Sequence, residues 1–238
     1  TNKFVGVLTG KGLEFGGSQM RTEATGYGAI FFLRSMLKQH DTTIEGKRIL
    51  ISGSGNVATH AAEKVLQLGG TPLTLSDSGG FIHCSDGLSQ EQIDWVKELK
   101  GVRRGRISEA ASEFNNISFH EKSRPWGVEA DCAVPSATQN EINGDEAATL
   151  VSNGIKAVAE AANMPCEQEA VDAFVDAGVL FGPAKAVNAG GVGVSGLEMS
   201  QNSGRISWEP DRLRELLERM MGDIHDSCVE YGKAGDGP

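Results

Sequence analysis

KRILISGSGNVATHAAEKVLQLGG, residues Lys47 to Gly70, decides how the rest of the chain is read. Ile49, Leu50 and Ile51 form an unbroken apolar run, so Arg48 to Ser52 is predicted as a short strand buried on both faces. Gly53, Gly55 and Ala58 follow as G-x-G-x-x-A, and Val57 to Leu68 is predicted as a helix. Strand, glycine turn and helix in that order make a dinucleotide-binding fingerprint. The first glycine allows a tight turn, the second lets backbone approach a pyrophosphate, and the small third residue lets helix and strand pack closely. The helix then turns its free N–H groups and positive dipole end toward the anion. A glycine loop after a first strand also serves methyltransferases, and a fortuitous tight turn is the plain structural alternative.

Composition sets the frame around this unit. The chain has 238 residues, enough for one large domain with a substantial core. Its net charge of −10, with no dense basic run beyond Arg103, Arg104 and Arg106, speaks against a nucleic-acid partner. No apolar run approaches the roughly 20 residues of a membrane helix, and no signal peptide is visible. Cys84, Cys132, Cys166 and Cys228 are widely spaced, as expected of free thiols in a reducing cytoplasm. The chain starts without Met and stops in a glycine-rich tail, so it is expected to be an excised piece.

Outward from the fingerprint, residues 1–20 are glycine-rich and expected to be loop. Thr22 to His40 has helical spacing, with Gly26 and Gly28 implying some close backbone approach. Thr71 to Leu75 is expected as the second strand and Ser76 to Gly80 as a turn. Ser89 and Gln92 start a helix that runs through Lys100, and Ser108 to Phe114 is a short helix. Three more strands are expected at Asp131 to Val134, Ile155 to Ala159 and Val179 to Phe181. Between and after them, helices are expected at Asn143 to Ser152, Cys166 to Ala177, Val194 to Gln201 and Glu209 to Tyr231. The alternation implies an α/β fold, a Rossmann-like doubly wound and mostly parallel sheet with helices on both faces.

Asp77 lies 22 residues after Gly55, close to the roughly 20 expected of a ribose-contacting carboxylate. By itself Asp77 favours NAD, because a carboxylate repels a 2′-phosphate. Ser78, Lys100 and Arg103 pull toward NADP, provided their loop folds over the same pocket. Pro135-Ser136-Ala137-Thr138 and Asn163 follow predicted strands, at the carboxyl ends where open α/β sheets bind ligands. Asn188 to Ser195 is a glycine loop opening a helix, suited either to capping or to presenting N–H groups and a hydroxyl to a carboxylate. His40, His60, His83, His120 and His225 show no ligand spacing, and no metal site is expected.

Five stretches stand together in order: TGKG from Thr9 with GGS from Gly16, RTEATGYG from Arg21, SGSGNVA from Ser52, AEAANMP from Ala159 and NAGGVGVSGLEMSQN from Asn188. Over essentially the whole chain they resemble the cofactor domain of the hexameric glutamate dehydrogenases. The resemblance implies interconversion of L-glutamate with 2-oxoglutarate and ammonium, by hydride exchange with a nicotinamide. It puts Arg21 and Thr25 beside the nicotinamide end. Gly53, Ser54, Gly55, Asn56 and Val57 become the pyrophosphate loop, and Asp77 and Ser78 meet the adenosine ribose. Ala137 and Thr138 line the cofactor path, while Asn163 and Asn188 hold the nicotinamide ribose and carboxamide. Val192 and Ser195 reach the substrate, with the Ser195 hydroxyl on its side-chain carboxylate. Lys100 and Arg103 match basic positions of NADP-preferring members, so NADP is expected over NAD.

The same resemblance implies that residues 1–238 are one cofactor domain, with a hinge-side segment at 1–20 and a last helix and tail at 205–238. Catalytic residues are expected in none of it: the lysine and aspartate of proton transfer, and the lysines gripping substrate, belong to an N-terminal domain outside this chain. A final helix returning to that domain is expected beyond Pro238. The parent is expected to be a homohexamer and the isolated chain a monomer without turnover. An apolar-substrate dehydrogenase acting on leucine, valine or phenylalanine is the alternative, against which Ser195 argues. Ala161 departs from the family's usual glycine, and its methyl group either crowds the cofactor or is harmless.

Overall fold

The computed structural model describes residues 6–233; the outer ends of the expected 1–20 and 205–238 segments lie outside the described residues. A 3-10 turn, Leu13–Phe15, precedes the helix α1 (Ala24–Gln39). β1 (Arg48–Ile51) leads into α2 (Asn56–Gln67), as the fingerprint requires. β2 (Thr71–Pro72), β3 (Thr74–Asp77) and β4 (Gly80–His83) follow closely, then α3 (Gln90–Glu98), α4 (Ala110–Glu113) and β5 (Ser118–Glu121). The rest alternates through β6 (Cys132–Val134), α5 (Gly144–Ser152), β7 (Ala157–Ala159), α6 (Gln168–Asp176) and β8 (Leu180–Gly182). It ends on α7 (Ala184–Val187), α8 (Gly190–Gly204) and α9 (Pro210–Lys233).

Five strands pair in parallel in the order β2-β1-β6-β7-β8. Because side chains alternate along a strand, Ile49 and Ile51 enter one core and Leu50 the other. The first core is closed by α1, α2, α8 and α9, and the second by α5 and α6. The chain leaves β1 for β2 on one side and later returns to β6 on the other. Their carboxyl ends, in register at Ile51 and Val134, therefore form the topological switch point where a crevice opens.

The local signals for helix ends hold. Ser89 and Gln92 form the reciprocal capping box of α3, with Ser89 N donating to Gln92 Oε1 at 2.9 Å. Asn143 caps α5, its Oδ1 accepting from Glu146 N at 2.9 Å. Gly178, at φ 69°, closes α6. Gly26 and Gly28 have the close approach their sequence position implied. A Cβ on Gly26 would lie 2.5 Å from Val57 O, where α1 crosses α2. One on Gly28 would lie 3.0 Å from Gly190 Cα, where α1 crosses α8.

Three expectations need correction. Thr71 to Leu75 is not one strand: the chain pairs with β1 through Pro72, then turns away into a separate antiparallel sheet, β3-β4-β5. Pro72 has no N–H to give, and beyond Leu73 side-chain hydroxyls join a single backbone bond, Ser76 N to Gly53 O at 2.8 Å, in place of the regular ladder. Thr74 Oγ1 accepts from Ile51 N and donates to Ile51 O, each at 3.0 Å, and Ser76 Oγ accepts from Gly53 N at 2.7 Å. The other edge of β3 pairs with β4, so the expected Ser76 to Gly80 turn shrinks to Ser78 and Gly79. β4 and β5 themselves were not anticipated. Finally, α8 starts at Gly190 rather than Val194, because its glycines are packing contacts inside the helix: a Cβ on Gly190 would land on the Ala24 carbonyl oxygen.

Candidate functional site

The crevice at the switch point has a volume of about 740 Å³. Its floor is the turn between β1 and α2. Gly53 sits at φ 82°, and a Cβ there would stand 2.9 Å from Ser136 O, so the turn is open to glycine alone. Gly55 is the N-cap of α2 in extended conformation, and no side chain caps this helix. A Cβ on Gly55 would meet nothing within 4 Å. Uncapped first-turn amides facing open space are what a pyrophosphate needs, so the residues present fit a dinucleotide. Ala58 is buried against the strand, as the third small position demands. Ser54, Asn56, Val57, Ala137 and Thr138 line the same crevice.

At its outer end, Asp77 closes β3 and Ser78 begins the turn. The Asp77 carboxylate is already engaged: Oδ1 accepts from Gly79 N at 2.8 Å, and Oδ2 from Ile107 N at 3.0 Å and Lys100 Nζ at 3.1 Å. Burial works to raise its pKa, but these amides and the ammonium outweigh it and hold the carboxyl below its ordinary value. Lys100 lies in the π-helical turn Leu99–Arg103 that continues α3, which brings it back to β3. Arg103 on the same turn goes elsewhere, over the Trp95 ring at 4.6 Å and 3.6 Å from Glu98. Arg106 takes the place beside Ser78, with Nη1 donating to Ser78 Oγ at 2.8 Å. Lys122, Ser123 and Arg124, just after β5, form the facing wall. Arg106 and these three were not singled out from the sequence; the KSR run before Pro125 was visible, but without β4 and β5 nothing placed it here.

A second group gathers where α1 crosses α8. Arg21 Nε donates to Ser195 Oγ at 2.9 Å. Gly191 permits it, since a Cβ there would strike Thr25 Oγ1 and stand 3.2 Å from Arg21 Nη1. Val192, on the first turn of α8, is 72 % exposed. A third pair follows β7 and α7: Asn188 Nδ2 donates to Asn163 Oδ1 at 2.9 Å. Ala161 is buried in the core, and its N–H donates to Pro135 O at 3.0 Å, so its methyl group does not project into the crevice. The TGKG motif serves α8 instead of the crevice. Gly10 N and Lys11 Nζ donate to the buried Glu198 carboxylate at 2.8 and 2.6 Å, one turn beyond Ser195. Among the described residues no helix is long and apolar enough to cross a membrane.

The site can therefore hold a polyanion on the α2 N-terminus, receive a further anion beside Ser78 and Arg106, and offer a hydroxyl and a guanidinium to a carboxylate at α8. Known proteins resemble this chain in sequence and in fold. The NAD(P)-specific glutamate dehydrogenase of Xylanibacter ruminicola is 54% identical over 237 residues, covering 100% of this chain and 53% of that protein. The NADP-specific glutamate dehydrogenase of Salmonella typhimurium is 50% identical over 226 residues, covering 95% of this chain and 50% of that protein. The crystal structure of Plasmodium falciparum glutamate dehydrogenase superposes with a TM-score of 0.96 at 39% identity, over 98% of this chain and 50% of that one. The chain thus spans about half the length of the curated relatives it matches. Residues 16–238 match the family model described as Glutamate/Leucine/Phenylalanine/Valine dehydrogenase, and the chain belongs to that family.

Proposed function

We propose that this chain is the cofactor-binding half of a cytoplasmic, NADP(H)-preferring enzyme that interconverts L-glutamate with 2-oxoglutarate and ammonium. The observation that carries this reading is the Arg21–Ser195 pair. Ser195 Oγ spends an acceptor lone pair on Arg21, which leaves its O–H free to donate to a substrate carboxylate. An apolar side-chain pocket, as for leucine, valine or phenylalanine, has no use for that hydroxyl or for a guanidinium beside it.

The cofactor preference is supported by the state of Asp77. Its two oxygens already receive two amides and an ammonium, so it offers little to a free ribose 2′-hydroxyl. Ser78 accepts from Arg106 and so keeps its own proton for a phosphate oxygen. The reading therefore retains Lys100 as the group that neutralises Asp77, and assigns to Arg106 the role the sequence suggested for Arg103.

A bound nicotinamide supplies hydride exchange with the substrate α-carbon. The chain's own residues hold and aim it: α2 anchors the pyrophosphate, Ala137 and Thr138 border its path, and the Asn163–Asn188 pair presents amides to the nicotinamide side. Proton transfer and the grip on the substrate's other carboxylate fall to the remainder of a full-length protein. On its own the chain is then a binding module without turnover, and monomeric, whereas the full-length protein is a homohexamer. Purified chain is expected to bind NADPH, and full-length protein to oxidise NADPH only with 2-oxoglutarate and ammonium both present. Oxidation driven better by an apolar 2-oxo acid would overturn the substrate assignment.

A further inference from the structure

Glu141 is one of the few buried carboxylates among the described residues, and none of the roles above uses it. It lies three residues beyond Thr138 and borders the crevice. Its Oε1 accepts from Ala137 N at 2.9 Å, and the Thr138 N–H and the Ser52 hydroxyl lie close enough to favour its charged form. Ser52, at the end of β1, in turn accepts from Ser136 N at 2.8 Å. The backbone of Glu141 is anchored as firmly. Its N–H donates to Pro165 O at 2.7 Å, and its carbonyl accepts from Trp126 Nε1 at 3.0 Å and Arg124 Nη1 at 3.1 Å. One residue thereby joins the exits of β1, β6 and β7, the three strand ends around the switch point.

We infer that Glu141 is a positioning residue for the dinucleotide: its side chain holds the Ser136–Thr138 loop as the crevice wall along which the pyrophosphate and nicotinamide half of the cofactor runs. This rests on the dinucleotide reading of the crevice. The loop follows a parallel strand and carries three consecutive N–H groups with no helix to receive them. Left alone, they would be satisfied by water or would turn toward the ligand's phosphates. With Ser52 taking the Ser136 amide and Glu141 the Ala137 amide, the loop is pinned in one conformation, and Ala137 and Thr138 present side chains to the ligand. The adenosine end is built from β3 and the Arg106 loop, and Glu141 meets its facing wall at Arg124 through the backbone carbonyl, which a change of side chain leaves in place. Loss of Glu141 should therefore weaken one half of the ligand and spare the other.

The test titrates the purified chain with NADPH and with adenosine 2′,5′-bisphosphate, which carries only the adenosine half. For Glu141→Ala, NADPH affinity should fall about tenfold or more while the bisphosphate stays within about twofold. Glu141→Gln keeps a carbonyl oxygen for the Ala137 amide and can turn its NH2 to Ser52, so NADPH binding should recover to within about threefold of wild type. Ser52→Ala, which removes the hydroxyl linking Ser136 to Glu141, should show a smaller loss of the same selective kind and serves if Glu141→Ala does not fold. Equal loss of both ligands, no loss of NADPH, or no recovery in Glu141→Gln each overturns the inference. Failure of the wild-type chain to bind NADPH at all would instead refute the dinucleotide reading itself.

Discussion

Lys100→Ala should turn the cofactor preference of this chain while leaving its fold intact. Lys100 Nζ lies 3.1 Å from Asp77 Oδ2, and the Asp77 side chain is only 10 % exposed. With the ammonium gone, Asp77 keeps the Ile107 and Gly79 amides, so the carboxylate remains charged but loses its counter-ion. A 2′-phosphate of charge near −2, roughly 6 Å away in an effective dielectric of about 40, would then be repelled by about 2.8 kcal/mol. Screening at physiological salt lowers this toward about 1.4 kcal/mol, so NADPH affinity should fall between about 10-fold and 100-fold. NADH carries no such phosphate, and the freed Oδ2 can accept from its ribose hydroxyl, so its affinity should hold or rise. Titration of the purified chain with each cofactor by calorimetry, at low and at moderate salt, measures the ratio directly. A parallel fall for both cofactors, or a NADPH/NADH ratio unchanged within about twofold, would refute the reasoning. Arg106→Ala should lower NADPH binding selectively by about tenfold through loss of one exposed charge-assisted hydrogen bond. Arg103→Ala, stacked on Trp95, should leave the ratio alone.

Two further outcomes concern stability. Gly190→Ala forces a methyl group onto the Ala24 carbonyl and should cost about 2 kcal/mol, a fall of roughly 4–8 °C in Tm, whereas Gly196→Ala on the open side of the same helix should be neutral or raise Tm by a few degrees; calorimetric melts of the two decide it. Asp77, whose folded pKa is held below its ordinary value of 3.8, contributes stability that is complete above that value and is lost as the pH falls through the lower folded one. Denaturant unfolding of wild type against Asp77→Asn should therefore show a gap that is constant at neutral pH and closes in acid.

What was legible in the sequence followed from local chemistry. The strand, glycine turn and helix from Arg48 to Gln67 announce themselves because each residue answers a constraint within a few positions of itself. The caps at Ser89 and Asn143 and the stop at Gly178 are legible for the same reason. The split after Pro72 was not, because it depends on Thr74 and Ser76 hydroxyls bonding to Ile51 and Gly53, more than 20 residues earlier. Missing β4 and β5 then hid the facing wall of the crevice. Arg103 and Arg106 are three residues apart in one basic loop; the π-helical turn and its left-handed exit at Arg104 send the first to Trp95 and the second to Ser78.

The sequence by itself determined the α/β class, the glycine turn between β1 and α2 and the order of motifs that marks the family, since these rest on short-range sterics and on which residue types stand side by side. The tertiary structure decided which charges meet. It tied Asp77 to Lys100, gave Ser78 to Arg106, joined Arg21 to Ser195 across 174 positions, and set Glu141 beneath the crevice wall. Ionic and hydrogen-bonded partners are fixed to tenths of an ångström by how strands end and helices cross, and no spacing along the chain carries that distance.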